Sequence, residues 1–191
     1  MTLKFEFTVH DFIAVKTFFY ASYIMVVSMI DVHRIEKMNK ADAEEIIKWK
    51  YESPYDFYNM TEDSLTEMLE EDYYACFDGR NLIGFFCYGK SAQVPIGHNT
   101  GSYKNSNLLD IGLGLHPSLT GKGTGAAFVR SGIDFARSKY HPEGFRLSVA
   151  AFNERALSTY KKLGFEVLAD FYTTSSKQPT HFYVMELMED A

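Results

Sequence analysis

The chain has 191 residues, 46% apolar and 23% charged, the balance of a folded globular protein rather than a disordered one. That length fits one domain with an appendage, and a domain of this size buries roughly 70% of its unfolded surface, so it needs no disulfide or metal staple. Acidic residues outnumber basic ones, 25 against 19, for a formal charge of −6, which argues against the basic face of a nucleic-acid binder.

The chain opens on an unusual stretch. Residues 17–30, TFFYASYIMVVSMI, carry no charge. A membrane-spanning helix wants about 18–20 apolar residues, so this run is short for one. A signal peptide wants a net-positive start and a small-residue cleavage site, but Lys4 and Lys16 are balanced by Glu6 and Asp11 and no such site follows. Phe12, Val15, Phe19, Tyr23, Val26 and Ile30 recur at helical spacing, which also fits a packed segment. Residues 1–29 therefore stand as an apolar extension with no assigned role, and residues 30–191 as the domain proper.

A first strand is expected over residues 30–35, then a helix capped by Asn39. Residues 51–59 break that helix with Pro54 and load a loop with aromatics. Ser64 and Glu67 have the spacing of a capping box, predicting a short helix that ends near Glu71. Residues 73–77 and 82–88 are β-rich runs around Asp78-Gly79-Arg80-Asn81, a hairpin signal. A long polar connection follows over residues 91–107. Residues 108–115 read as a strand, 123–140 as a helix, 145–152 as a strand and 154–163 as a helix closed by Gly164. Two more strands, 166–172 and 181–188, finish the chain. Cys76 and Cys87 form no C-x-x-C pair and lie in apolar runs, so buried free thiols of a reducing, cytoplasmic setting are expected. The six histidines show no metal-binding spacing, so no metal is expected.

The informative segment joins a strand to a helix: Thr120, Gly121, Lys122, Gly123, Thr124, Gly125. Glycines let the backbone come close to a ligand, and a helix N-terminus favours a phosphate or pyrophosphate. The same pattern also suits a plain glycine-rich connector. After the next strand comes N-x-x-A-x-x-x-Y-x-x-x-G-F, from Asn153 through Tyr160 to Phe165.

The order strand, G-x-G-x-G, helix, strand, N-x-x-A-x-x-x-Y resembles the GNAT superfamily of acyl-CoA-dependent N-acetyltransferases. The resemblance implies a mostly antiparallel, twisted α/β sheet of six or seven strands with helices on both faces. It implies acetyl-CoA as acyl donor, with backbone groups of Leu113 and Leu115 toward the pantetheine arm and Thr120, Gly121, Lys122, Gly123, Thr124 and Gly125 around the pyrophosphate. The family's glutamine or arginine is here Thr120, which removes a cationic or amide side chain. Asn153 matches the asparagine near the cofactor arm. Tyr160 matches the tyrosine that protonates the departing thiolate; read from its own helix alone, it is a core aromatic on an amphipathic stripe with Ala156, Leu157 and Leu163. Asp110 is the candidate base, with a strand-end hydrogen bond as its structural alternative, and Glu71 and Asp72 are reserves. The glutamate of relatives that acetylate protein N-termini is replaced by Ser148.

The implied reaction is acetyl transfer to a primary amine of a small molecule or peptide, by direct attack in a ternary complex. The alternative is an idle CoA-binding module. No nucleic acid or membrane partner is expected, and a homodimer is compatible with the resemblance. The acceptor would meet residues 51–59, with Tyr51, Tyr55, Phe57 and Tyr58, and residues 91–107, with His98 and Tyr103. These aromatics could stack on a ring, cage a cation or simply pack on the core. Deleting residues 1–28 is expected to leave a soluble domain that still titrates with CoA. An insoluble or unfolded product would place the extension in the core or in a subunit interface.

Overall fold

The computed structural model describes residues 33–105, 107–173 and 179–189. The expectations for residues 1–29 lie outside them. Seven strands form a single sheet in the order β1-β2-β3-β4-β5-β7-β6. They are β1 (Arg34–Lys37), β2 (Tyr73–Asp78), β3 (Asn81–Tyr88), β4 (Leu108–Leu115), β5 (Gly144–Ala150), β6 (Glu166–Tyr172) and β7 (His181–Met188). Every neighbouring pair is antiparallel except β4 with β5. The α/β sheet with helices on both faces is as the resemblance implies.

Local chemistry sets most element ends. Helix α1 (Lys40–Ile46) begins where the Asn39 side chain accepts from the Asp42 N–H at 3.0 Å. The β2–β3 hairpin turns at Gly79, whose φ of +57° a side chain would strain. Helix α2 (Ser64–Glu70) corrects the capping-box expectation. Asp63 is the N-cap without a side-chain bond, and Ser64, one residue inside, accepts from the Thr61 N–H instead. The polar connection before β4 holds a four-residue helix α3 (Gly97–Thr100) ending at Gly101 in the left-handed region.

Helices α4 (Gly125–Tyr140) and α5 (Glu154–Lys162) cover one sheet face. Phe128, Val129, Ile133 and Ala136 of α4 and Tyr160 of α5 bury there against Phe86, Ile111, Phe145, Leu147 and Val149. Gly132 gives Phe86 its room, since a Cβ on it would meet that ring at 2.3 Å. On the opposite face, α1 and α2 bury Ala43, Ile46 and Met68 against Tyr73, Phe85 and Cys87. A smaller cluster of Ala150, Phe171, Phe182 and Val184, with Tyr58, Val94, Ile96 and Phe152 against it, covers the β5–β7 half. Cys76 and Cys87 are buried free thiols, each pushed up to about 12 chiefly by desolvation, so neither is a ready nucleophile. Among the described residues no helix is long and apolar enough to cross a membrane.

Candidate active site

The site begins with a failure of strand pairing. β4 and β5 pair only over Leu108–Asp110 with Gly144–Arg146, although each strand continues beyond. Past that point β4 stays bonded to β3, and β5 to β7, so a gap opens between them. The ladder alternation shows what faces it. His116 N–H donates to the Ile83 carbonyl at 2.7 Å, so residues 112 and 114 face β3, and Leu113 and Leu115 aim their backbone groups into the gap. On the other side the Ala151 N–H bonds to His181, which turns the backbone of Ser148 and Ala150 toward β4.

A loop and a helix end stand at the open end of this gap. Gly121 and Gly123 have φ of +73° and +83°, which glycine alone adopts freely. Gly125 starts the 16-residue helix α4, whose first-turn amides have no partner within the helix. A Cβ on Gly125 would find only ordinary contacts, 3.7 Å from Thr159 Oγ1. Lys122 and Thr124 are exposed. The Thr120 hydroxyl donates to the Pro117 carbonyl at 2.9 Å, closing the turn, so it does not replace the missing glutamine or arginine.

Residues 51–59 straddle the gap. The Tyr51 hydroxyl donates to the Leu115 carbonyl at 2.7 Å on the β4 side. The Tyr58 hydroxyl meets the backbone of Ala150 on the β5 side and accepts from Asn153 Nδ2 at 3.4 Å. Asn153 meanwhile caps α5, its Oδ1 accepting from the Ala156 N–H at 3.2 Å. Tyr160 is 7% exposed and lies near Tyr58, and desolvation followed by that neighbour raises its hydroxyl well above the ordinary phenol value. Phe57, 51% exposed, meets Tyr58 and Phe152 edge-on at 5.2 and 5.7 Å between ring centroids.

At the closed end of the gap the structure puts Asp110 in a different setting from a free base. Arg146 Nε and Nη2 donate to its two oxygens at 2.6 and 2.8 Å, and Gln93 Nε2 adds a third bond at 2.6 Å. Both side chains of the pair are almost wholly buried. The Arg146 guanidinium also donates to the Asn105 carbonyl and faces the Tyr103 ring. Ser148 is bonded to the Tyr103 hydroxyl at 2.7 Å. The reserve carboxylate Asp72 pairs instead with Lys37 at the far edge of the sheet, on β2's side.

The model of the acetyltransferase (GNAT) family matches residues 40–165, about two thirds of the chain. The chain belongs to the GNAT acetyltransferase family. Solved GNAT structures share its fold. A GNAT acetyltransferase from Bacillus anthracis superposes with a TM-score of 0.64 at 15% identity, over 83% of this chain and 96% of that one. A chimera of the spermidine N-acetyltransferase SpeG of Vibrio cholerae with hSSAT gives 0.61 at 14%, over 82% and 95%. The yncA protein of Salmonella typhimurium, solved with its cofactor acetyl-CoA, gives 0.56 at 18%, over 83% and 95%. Comparison with curated protein sequences finds no match. Two features of this GNAT site escaped sequence reasoning. Arg146, 36 residues beyond Asp110, sits in a strand that reads as apolar. Tyr51 and Tyr58 differ in role only through which strand each one reaches.

Proposed function

We propose that the chain transfers an acetyl group from acetyl-CoA to the primary amine of a small molecule or peptide. One observation carries this: the gap between β4 and β5, with a glycine loop and the N-terminus of a long helix at its open end. A long, flexible donor arm fits such a gap as an added strand, bonding to the backbone of Leu113 and Leu115, while its diphosphate takes the amides of residues 121–125. Acetyl-CoA supplies an activated acetyl thioester. The neutral amine nitrogen attacks the thioester carbon, a C–N bond forms and the C–S bond breaks. The sulfur takes up a proton from Tyr160, and the proton shed by the nitrogen passes to solvent, from which the tyrosine is reprotonated. Holding both reactants in one gap supplies proximity, so no covalent enzyme intermediate is needed.

Tyr160 is the acid in this reading. A phenol is protonated at neutral pH, the form a donor needs, and the buried setting of this one disfavours a free thiolate beside it. Asp110 is assigned to the frame rather than to proton transfer, because Arg146 and Gln93 already hold both of its oxygens. The exposed Phe57, with Tyr58 and Phe152, suits an amine carried on an apolar or aromatic body. The spermidine named for the Vibrio cholerae relative shows what amine chemistry this fold accommodates elsewhere.

Gly125→Val tests the cofactor loop. An added Cβ meets nothing closer than 3.7 Å outside the helix's own backbone, so the fold should persist. It would, however, stand among the amides that face the diphosphate. Charge-assisted hydrogen bonds are worth roughly 1.5–3 kcal/mol each, so CoA affinity by calorimetry should fall at least about 100-fold. Unchanged affinity would remove the loop from the binding site.

A further inference from the structure

We propose that Arg155 is the cation that holds the cofactor diphosphate, in place of the side chain lost at position 120. This rests on the acetyl-CoA reading above. Arg155 is the second residue of α5, yet its guanidinium reaches the cofactor loop: Nη1 lies 3.3 Å from where a Cβ on Gly121 would sit. The guanidinium carbon lies 3.9 Å from the centre of the Tyr55 ring, a platform contributed by the segment that straddles the gap. Among the described residues its guanidinium has no carboxylate partner; only its backbone carbonyl is engaged, by the Thr159 hydroxyl. A planar cation laid on an aromatic face keeps its N–H edge free, and that edge suits two phosphate oxygens at once.

The neighbouring groups leave the task to Arg155. The Thr120 hydroxyl is tied to Pro117, and Lys122 is a flexible point charge on an exposed loop residue. Glycine at position 121 is what permits the approach, since any side chain there would press on the guanidinium and would also be strained at a φ of +73°. The arrangement links the two substrates as well. Tyr55 belongs to the 51–59 segment, whose Phe57 and Tyr58 border the acceptor side, so a diphosphate that fixes Arg155 also fixes Tyr55.

The test compares wild type with Arg155→Gln, Arg155→Lys and Tyr55→Leu, using three probes: acetyl-CoA, acetyl-dephospho-CoA and acetyl-pantetheine, which lacks the diphosphate. Arg155→Gln should weaken acetyl-CoA and acetyl-dephospho-CoA alike by at least about tenfold, the worth of one charged contact. KM for acetyl-pantetheine should not change. Arg155→Lys should recover only part of the loss, and Tyr55→Leu should weaken the two CoA donors without touching acetyl-pantetheine. Equal losses on all three donors would mean that Arg155 merely supports the fold, and would overturn the assignment. A loss confined to acetyl-CoA would place the guanidinium on the 3′-phosphate and overturn it too. Wild-type affinity in Arg155→Gln would do the same while leaving the acetyltransferase reading intact, whereas failure of the wild type to bind any CoA donor would overturn both.

Discussion

Tyr160→Phe is expected to lower kcat by at least about tenfold, because a positioned proton donor contributes roughly 10²–10⁴-fold in rate. The substitution keeps the ring, its packing in the main core and its 5.9 Å approach to Phe165, and removes one hydroxyl. KM for acetyl-CoA should move little, since a group that acts as the thiolate departs adds nothing to ground-state binding. A tyrosine that serves only as a core aromatic predicts otherwise. Phenylalanine packs as well there, so kcat would survive and at most the melting temperature would shift. Near-wild-type kcat with chemistry rate-limiting would return Tyr160 to the core. Tyr58→Phe separates the neighbouring hydroxyl from this role: it releases the bond from Asn153 and the contact to Ala150, and should raise KM for the acceptor more than it lowers kcat.

The second large effect is on stability. Asp110→Ala leaves the Arg146 guanidinium buried without its carboxylate, and breaking a buried pair from one side costs about 3–5 kcal/mol. For a domain of this size that corresponds to a fall in melting temperature on the order of 10 °C. Replacing both partners, Asp110→Leu with Arg146→Met, should recover most of the loss, because no charge is then left without a partner. The pH profile distinguishes frame from base. An attacking amine must be neutral, and alkylammonium groups titrate near 10.4, so kcat/KM should rise with pH through the neutral range. If Asp110 is part of the frame, Asp110→Asn keeps that slope. A base would show instead as a rate loss in Asp110→Asn that eases as pH rises and more of the amine arrives already deprotonated.

What the sequence made legible follows the range of each interaction. Elements set by local chemistry came through: Asn39 as a cap, the turn at Gly79, β4 over Leu108–Leu115, and β6 and β7 to the residue. The glycine-rich turn between β4 and α4 was equally readable as a turn, because the left-handed backbone at Gly121 and Gly123 needs its special residues in one short run. The capping box at Ser64 misled by one position, since Asp63 competes for the same role and the hydroxyl turns back to Thr61. Long-range pairings left no local trace. Asp110 carries no sign of the arginine 36 residues away that engages it, and an arginine in an otherwise apolar strand looks like an interruption until β4 lies beside it. Nor does the aromatic segment show that Tyr51 reaches one strand and Tyr58 the other, because the gap between those strands exists only in the folded sheet.

The most direct measurement is thiol release from acetyl-CoA against a panel of primary amines, followed together with the mass of the amine. Thiol release in step with an acetylated product is expected for at least one amine, favouring those with an apolar or aromatic body, with the rate reduced in Tyr160→Phe and lost with CoA binding in Gly125→Val. Saturable CoA binding with no thiol release on any amine would contradict it, and would make the chain a CoA-binding module that carries the GNAT fold without the reaction.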